Sequence, residues 1–150
     1  MNVRRARPSD FLAIAALDRQ AWRDNQHAEF IPDGEHAWRL WVEHALVFCA
    51  EQDDRIVGAV EAHPCMNGTW CLHKVFVDAS CRGGAIGSKL IEALLVAIDD
   101  LGVDAFLTVD PANASALKLY ERWGFTHRRF VRGYYRDNED RYILTRPARA

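Results

Sequence analysis

The sequence predicts one mixed α/β domain: a mostly antiparallel sheet of six or seven strands, flanked by about four helices. Short apolar runs rich in β-branched and aromatic residues alternate with helical patterns along the whole chain. No Pro-, Gly- or Ser-rich linker interrupts the 150 residues, so residues 1–150 are expected to form a single domain. A strand, a helix and a second strand follow one another in the second half of the chain, which predicts one parallel pair within the sheet.

The composition is typical of a globular protein without a membrane or nucleic-acid partner. Apolar residues make up 49% and charged residues 27%, which argues against disorder, and no apolar run approaches the roughly 20 residues of a membrane span. The N-terminal segment lacks the apolar core of a signal peptide, so a cytoplasmic location is expected. The formal net charge is −2, and the basic cluster of Arg128, Arg129, Arg132 and Arg136 is interpreted as a solvated strand face.

The four cysteines have neither a C-x-x-C pair nor the spacing of a zinc site. They are therefore expected to be partly buried thiols in a reducing compartment, and no metal is expected. A disulfide between Cys65 and Cys71 across a hairpin is the alternative.

The first 45 residues predict one strand followed by two helices. Residues 2–7 form the strand, which stops before Pro8, and Ser9 is expected to cap a helix that runs to about residue 24. A second helix is predicted over residues 35–45, and the polar segment 25–34 before it is expected to be mobile or to face a substrate. The aromatic residues of this region that are candidates to line a pocket are Trp22, Phe30 and Trp38, and packing in the core is the other interpretation of Trp38.

Three β-rich runs follow, over residues 46–51, 55–63 and 70–78. A short polar hairpin separates the first two, and the Asn67-Gly68 pair before the third predicts a type I′ turn. Strong apolarity on both faces of the third run indicates a central strand that is covered on both sides.

A glycine-bearing loop, residues 82–87, leads from this strand into the clearest helical pattern of the chain. The helix runs to Leu101, with Gly102 as its C′ residue, and a strand over residues 103–109 follows directly. Because the loop meets a helix N-terminus, its backbone N–H groups and the side chain of Arg82 are expected to bind an anion such as a phosphate group.

The last part of the chain predicts a helix and two closing antiparallel strands. The helix starts at residues 110–113 and is stopped by Gly124. The strands are predicted over residues 125–135 and 140–145, joined by residues 136–139. Apolar side chains on these strands that offer a contact for a homodimer are Phe130, Val131 and Tyr142.

The order of these elements resembles the GNAT superfamily of acyl-CoA-dependent N-acyltransferases over nearly the whole chain. The cofactor motif of that family, Arg/Gln-x-x-Gly-x-Gly/Ala, follows a strand that ends in Val-Asp. Here Val77-Asp78 precedes Arg82-Gly-Gly-Ala-Ile-Gly87, with Ala85 in place of the first glycine of the motif. Ala85 costs little there if its backbone is helical, but it crowds the pyrophosphate if its φ is positive.

Two further motifs carry the same resemblance. The family pattern Asn-x-x-Ala-x-x-Leu-Tyr-x-x-x-Gly-Phe is matched without a gap from Asn113 to Phe125. A Tyr-Tyr pair ahead of an acidic pair, Tyr134-Tyr135 and Glu139-Asp140, resembles the closing hairpin of the ribosomal-protein alanine N-acetyltransferases. The resemblance implies a GNAT-like sheet that is splayed at an acyl-CoA site.

The resemblance also implies direct transfer of an acetyl group from acetyl-CoA, as co-substrate, to a primary amine. Backbone groups of the central strand, the glycine-bearing loop and the start of the following helix would bind the cofactor. The residues implied are Val75, Phe76, Val77, Arg82, Gly83, Gly84, Ala85, Ile86, Gly87, Ser88, Asn113 and Ala116.

Tyr120 is the residue that the resemblance places near the sulfur of acetyl-CoA, as general acid toward the leaving thiolate. It follows Asn113 by seven residues, two helical turns or about 10.5 Å, so both side chains lie on one helix face. The resemblance does not supply a general base directly, because Thr108 occupies the position of a glutamate in the ribosomal-protein enzymes. His73 on the central strand is the predicted replacement, and Glu61 with His63 on the neighbouring strand is the second choice.

The absence of that glutamate favours a small-molecule or otherwise unassigned amine as the acceptor. The alternative is the α-amine of a peptide or protein, which the Tyr-Tyr hairpin favours. An alternative of another class is a non-catalytic acyl-CoA-binding or regulatory module. The remaining residues expected to bind the acceptor are Thr108, Tyr134 and Tyr135.

Overall fold

The computed structural model describes residues 1–24 and 31–149. Phe30 and the rest of residues 25–30, part of the segment predicted to face a substrate, lie outside the described residues. The described part contains seven strands and four α-helices, which confirms the predicted fold class. In chain order these are β1 (Asn2–Arg5), α1 (Phe11–Asp24), α2 (Glu35–His44), β2 (Leu46–Gln52), β3 (Arg55–Pro64), β4 (Trp70–Val77), α3 (Ile86–Leu101), β5 (Ala105–Val109), α4 (Ala114–Arg122), β6 (His127–Val131) and β7 (Arg141–Arg146).

The strands are hydrogen-bonded in the order β1-β2-β3-β4-β5-β7-β6. β4 and β5 are parallel, with Trp70 opposite Ala105 and Cys71 opposite Phe106, as the strand-helix-strand order predicts. The pairs β1–β2, β2–β3, β5–β7 and β6–β7 are antiparallel. Within the described ranges, no helix is both long and apolar enough to cross a bilayer.

Two compact units make up the chain, and β4 and α3 contribute residues to both. The N-terminal unit comprises Met1–His63 and Lys74–Ala97, and the C-terminal unit comprises Pro64–His73 and Ile98–Ala150. A single domain over residues 1–150 stays a prediction.

In the N-terminal unit, α1 and α2 pack on the sheet through apolar side chains at helical spacing. α3 lies directly against β3 at Gly58, where a Cβ atom would meet Leu90 Cδ1 and the Phe76 carbonyl oxygen at 3.1 Å. This close approach fixes the start of α3, and with it the glycine-bearing loop. One buried apolar cluster of the unit consists of Ala6, Ile14, Ala15, Leu17, Ala21, Trp38, Val42, Val47, Cys49, Ala59 and Phe76.

The C-terminal unit is tied together by Arg146 at the end of β7. Its guanidinium, only 3% exposed, donates to the Asp99 carboxylate of α3 at 2.7 and 3.2 Å and to the Trp123 carbonyl oxygen at 2.8 Å. Gly124 beside it has φ +97°, which ends α4 where the sequence predicts. All four cysteines of the chain are thiols and not disulfides, as predicted.

The start of the first helix differs from the prediction. β1 ends at Arg5, and Pro8–Asp10 form a 3-10 turn before α1. The Asp10 carboxylate accepts a hydrogen bond from the Arg7 backbone N–H at 2.7 Å. Asp10 and not Ser9 therefore closes the helix start, because Arg4 holds the Asp10 carboxylate in place at 2.8 Å.

The turn between β3 and β4 is not the predicted type I′ turn. Of its central residues only Gly68 has a positive φ, +85°, whereas a type I′ turn requires two such residues. The Gly68 N–H donates to the Cys65 carbonyl oxygen at 3.0 Å, and the Cys65 N–H donates to the Thr69 carbonyl oxygen at 2.8 Å. Three residues therefore separate the paired positions, so a type I turn followed by one left-handed glycine fits the loop.

The closing strands are shorter than predicted. β6 ends at Val131, and the turn before β7 is closed by a hydrogen bond from the Tyr134 N–H to the Glu139 carbonyl oxygen at 2.9 Å. Gly133 has φ +59°, which interrupts the extended backbone. Tyr134 and Tyr135 consequently lie in the turn and not on a strand.

Candidate functional site

The glycine-bearing loop enters α3 through two left-handed residues. Gly83 has φ +90° and Ala85 has φ +61°. The Ala85 carbonyl oxygen accepts the hydrogen bond from the Lys89 N–H at 3.1 Å, so Ala85 is the residue that begins the helix. For a residue with a Cβ atom this conformation costs about 1–2 kcal/mol. The motif position normally filled by glycine is therefore strained here.

Asp78 and Arg82 fix the path from β4 into the loop. The Asp78 carboxylate accepts hydrogen bonds from the Ser80 N–H and hydroxyl, each at 2.9 Å, and from Arg55 at 2.9 Å. The Ser80 N–H is the largest cause that lowers the pKa of the Asp78 carboxyl. Arg82 donates its Nε hydrogen to the Val77 carbonyl oxygen at 3.3 Å. Residues 79–89 include no carboxylate, and 82–85 are exposed, so this loop suits an anion.

Asn113 is the N-cap of α4. Its side-chain oxygen accepts hydrogen bonds from the Ala116 N–H and the Ser115 hydroxyl, both at 3.1 Å. The side-chain nitrogen of Asn113 is outside these two bonds, so the residue can cap the helix and still donate to a ligand.

Tyr120 lies two turns later on α4 and is partly buried. Its ring contacts Phe125 edge-on at 5.8 Å between ring centroids, with Trp123 at 6.3 Å. Burial raises the pKa of the Tyr120 phenol above its ordinary value near 10. The phenol therefore keeps its proton at neutral pH, as a general acid requires.

Three of the predicted acceptor residues are brought together in the C-terminal unit. The Tyr135 phenol and the Thr108 hydroxyl are 2.7 Å apart. The Tyr134 ring packs edge-on against Tyr135 at 4.8 Å, and the Arg141 guanidinium lies 5.2 Å from the Tyr135 ring centroid. Tyr134 and Tyr135 remain 40% and 57% exposed, so both rings are available to a ligand.

In the N-terminal unit, the buried Glu61 of β3 pairs with His63 of the same strand, which is partly exposed. His63 Nδ1 lies 2.9 and 3.1 Å from the two carboxylate oxygens of Glu61, which is fully buried. The His63 ring stacks on Trp41 with 5.7 Å between ring centroids and an angle of 4°. The hydrogen bond to Glu61 is the largest cause that raises the pKa of the His63 imidazole, and the Asp33 charge adds to it. Glu61 can orient His63 but has no exposed surface for an acceptor.

The other predicted site residues are dispersed. Trp38 is fully buried and packs on Phe76 at 5.8 Å between ring centroids, so both belong to the core rather than to a pocket wall. Trp22 is 42% exposed on α1, and His73 is exposed on β4. Ile86 is buried at the start of α3, where it supports the loop instead of facing outward.

Sequence reasoning missed an ionic cluster in the N-terminal unit. Lys74 of β4 donates to the fully buried Asp18 carboxylate at 3.1 and 3.2 Å, to Asp33 at 2.9 Å and to the Ile31 carbonyl oxygen at 3.1 Å. Trp38 Nε1 donates to the same Asp18 carboxylate at 3.0 Å. An aspartate on the apolar face of α1 is the signal that points to such a cluster.

A cleft of about 460 Å³ in the C-terminal unit was also not predicted. We refer to it as the basic cleft, because its lining has three basic residues and no carboxylate. It is lined by Asn67, Thr69, Phe106, His127, Arg128, Arg129, Tyr134, Ile143 and Thr145.

Comparison with known proteins agrees with this architecture. Residues 11–125 match the acetyltransferase (GNAT) family. An N-alpha-acetyltransferase of Sulfurisphaera tokodaii is 26% identical over 97% of this chain and 92% of its own length. A mycothiol acetyltransferase of Thermomonospora curvata is 35% identical over 73% of this chain and 41% of its own length. The crystal structure of the ribosomal-protein-S18-alanine N-acetyltransferase from Escherichia coli has a TM-score of 0.79 at 23% identity, covering 99% of this chain and 94% of that chain.

Proposed function

Because the chain belongs to the acetyltransferase (GNAT) family, we propose that this acyl-CoA-dependent N-acetyltransferase acts on the α-amine of a peptide or protein. The Thr108–Tyr135 bond in the C-terminal unit carries the proposal for the acceptor. It holds two exposed tyrosines in the turn whose Tyr-Tyr and acidic pairs resemble those of the ribosomal-protein enzymes. The similarity to an N-alpha-acetyltransferase over 97% of this chain supports the same acceptor.

Thr108 then has a role that explains the absence of a glutamate. A glutamate at this position would be a base, whereas the threonine hydroxyl supports the Tyr135 phenol at 2.7 Å. The absence of that glutamate therefore no longer argues against a peptide acceptor. The base must come from another element.

Apart from Ala85, whose Cβ atom at a positive φ crowds the phosphates as the sequence predicts, the residues of the glycine-bearing loop are suited to bind the pyrophosphate of acetyl-CoA. Arg82 supplies a positive charge, and the backbone N–H groups at the start of α3 supply donors. The side-chain nitrogen of Asn113, the backbone at Ala116 and the strand residues Val75 and Val77 are proposed to bind the pantetheine arm. Acetyl-CoA, when bound, supplies the activated acetyl group.

Tyr120 is proposed to hold the proton that the leaving sulfur takes up. Its raised pKa keeps the proton on the phenolic oxygen at neutral pH. Transfer of that proton at the moment of bond cleavage avoids release of a free thiolate.

Glu61 and His63 are the pair whose geometry supports a general base. The buried Glu61 carboxylate holds the Nδ1 hydrogen of His63, which leaves Nε2 as the nitrogen that can accept a proton from an amine. His73, the first choice from the sequence, stays a candidate because it is exposed on β4. Variants of these histidines distinguish the two.

The test is a transfer assay with acetyl-CoA and matched peptides, with mass spectrometry of the product. One peptide has a free N-terminus and one has the same sequence with the N-terminus blocked, and both carry a lysine. We expect acetylation of the α-amine of the first peptide and no transfer to the second. Equal labelling of the lysine in both peptides would contradict the proposed acceptor.

A small-molecule amine is the second candidate acceptor. The 35% identity to a mycothiol acetyltransferase over 73% of this chain favours it. A panel of amino acids, polyamines and aminoglycosides in the same assay measures this activity. A kcat/KM for one of them that exceeds the peptide value would assign the enzyme to that amine.

A further inference from the structure

Several residues that line the basic cleft form cross-strand pairs on one face of strands β5, β7 and β6. Phe106 of β5 pairs with Thr145 of β7, which in turn pairs with His127 of β6. The next row on the same face consists of Thr108, Ile143 and Arg129. Successive rows on one face of a sheet are about 6.7 Å apart. Side chains on this face therefore recur at the spacing at which alternate side chains of an extended peptide recur.

Arg129 is the cation that this face presents to a ligand. Arg128 also lines the cleft, but its guanidinium is engaged with the Tyr142 ring, 4.8 Å from the ring centroid. Arg129 forms no ion pair with any carboxylate in residues 1–24 and 31–149, and the lining of the cleft includes none. Tyr134 and Arg129 line the same cleft.

The cleft is continuous with the proposed acceptor residues. Thr108, which holds the Tyr135 phenol, is in the same cross-strand row as Arg129. Tyr134 itself lines the cleft. A peptide whose first residues contact the tyrosines therefore passes Arg129 within a few residues if it continues along the sheet.

We propose that the basic cleft is a specificity subsite for an extended peptide acceptor that carries an acidic side chain a few residues after its α-amine, with Arg129 binding that carboxylate. Asn67 and Thr69 at the rim offer further hydrogen bonds, and Phe106 and Ile143 provide an apolar floor. This inference rests on the proposed peptide acceptor and names its class. An unpaired guanidinium in a cleft without carboxylates favours such a ligand over a neutral or basic peptide.

The experiment compares kcat/KM for peptides that differ only in the charge of one residue. Each of positions two to five is set in turn to Asp, Asn or Lys. The variants are Arg129→Gln and Arg129→Glu, with Arg132→Gln as the matched control, because Arg132 is an exposed arginine of the following turn outside the cleft lining. The same peptides with acetylated N-termini are titrated against each protein by fluorescence anisotropy.

For the wild type we expect the Asp peptide to have a kcat/KM about fivefold to tenfold above that of the Asn peptide at one of these positions. Arg129→Gln should abolish this preference and leave the Asn peptide within about twofold of wild type, and Arg129→Glu should shift the preference to Lys. Arg132→Gln should keep the Asp preference. Higher ionic strength should weaken it.

Two results would overturn the inference. One is equal kcat/KM for Asp and Asn peptides at every position in the wild type. The other is a loss of preference in Arg132→Gln as large as in Arg129→Gln. That result would mean that the preference comes from the overall positive potential around β6 and not from binding in the cleft. If no peptide is acetylated but the blocked Asp peptide still binds in an Arg129-dependent way, the proposed acceptor fails and the peptide-binding cleft stands.

Discussion

The hydroxyl oxygens of Thr108 and Tyr135 lie 2.7 Å apart, joining β5 to the turn between β6 and β7. The turn also contains short-range closures, such as the hydrogen bond from the Gly133 N–H to the Asp140 carboxylate at 2.8 Å. The Tyr135 ring packs in addition against Tyr134 and Arg141. In the proposed peptide site, Thr108 would therefore position the Tyr135 phenol.

Replacing Thr108 by Val should raise the KM for a peptide acceptor severalfold, with little change in the KM for acetyl-CoA. The valine keeps the shape but removes a hydrogen bond worth about 1 kcal/mol. Steady-state kinetics with each substrate varied in turn measures the split. Thr108→Ser retains the hydroxyl and should behave like the wild type; a serine variant as impaired as the valine variant would point to packing instead.

Tyr120→Phe should lower kcat about 100-fold and leave the affinity for acetyl-CoA nearly unchanged. The ring contacts to Trp123 and Phe125 survive the change, and only the proton donor is lost. Turnover and calorimetric titration with acetyl-CoA measure the two quantities. An unchanged kcat would remove Tyr120 as the general acid.

In Glu61→Gln, the pH range in which kcat/KM increases with pH should shift to lower pH. The hydrogen bond from His63 to Glu61 raises the His63 pKa above its ordinary value near 6.5, and a base acts only when it is neutral. Without the carboxylate that pKa falls, so His63 is neutral at lower pH. A profile that stays in place in this variant and loses the limb in His73→Ala would assign the base to His73.

The same pair links stability to pH. A raised folded-state pKa means that the charged His63 stabilises the fold fully below about pH 6.5, and that this contribution is lost as the pH rises through the raised pKa. The difference in unfolding free energy between wild type and Glu61→Gln should therefore be larger near pH 6 than near pH 8.5. Urea denaturation at the two pH values measures it.

Ala85→Gly should stabilise the protein by about 0.5–1 kcal/mol. Removing the Cβ relieves the left-handed strain of about 1–2 kcal/mol at φ +61°, and the greater freedom of glycine in the unfolded chain offsets part of it. Thermal unfolding shows the gain as a higher Tm. Gly83→Ala, which adds a Cβ at φ +90° in the same loop, is the converse control and should lower the Tm.

Lys74→Met should destabilise the N-terminal unit by about 3–5 kcal/mol, because it leaves the buried Asp18 carboxylate without its cation. Adding Asp18→Asn to that variant should recover much of the loss. Chemical denaturation of the single and double variants gives the coupling free energy. Additive losses in the double variant would mean that the two groups do not act as a pair.

Much of the fold followed from local patterns, and the turns show where such patterns stop. Asn67-Gly68 has the dipeptide that favours a type I′ turn, yet that turn occurs at Asp53 and Asp54, with φ +52° and +59°. Gln52 pairs directly with Arg55, so the register leaves two residues for this loop and forces both aspartates into the left-handed region. The number of residues between the paired strands therefore decided the turn type more strongly than the dipeptide preference did. That number depends on the strand register, which is not visible in the sequence.

The candidate site also combines residues that local patterns predict with residues whose surroundings come from distant parts of the chain. Asn113 lies at the N-terminus of α4, within the residues where the sequence predicts the helix to start, and Tyr120 follows it by two helical turns. Arg129 is exposed on β6, as the interpretation as a solvated strand face predicts, whereas the cleft beside it is formed by side chains from β5, β7 and the β3–β4 turn. The local pattern around Trp38 did not show that this residue is buried. The buried partner of its Nε1 hydrogen, Asp18, lies 20 residues away in the chain.

The four thiols bear on how the activity can be followed. Burial raises the pKa of the Cys49 thiol to about 11, so this thiol stays protonated and slow toward a disulfide reagent that detects released coenzyme A. Cys65, Cys71 and Cys81 are partly exposed and will consume such a reagent in a burst proportional to the enzyme concentration. A slow turnover should therefore be read from the linear phase after that burst, with an acceptor-free blank at the same enzyme concentration.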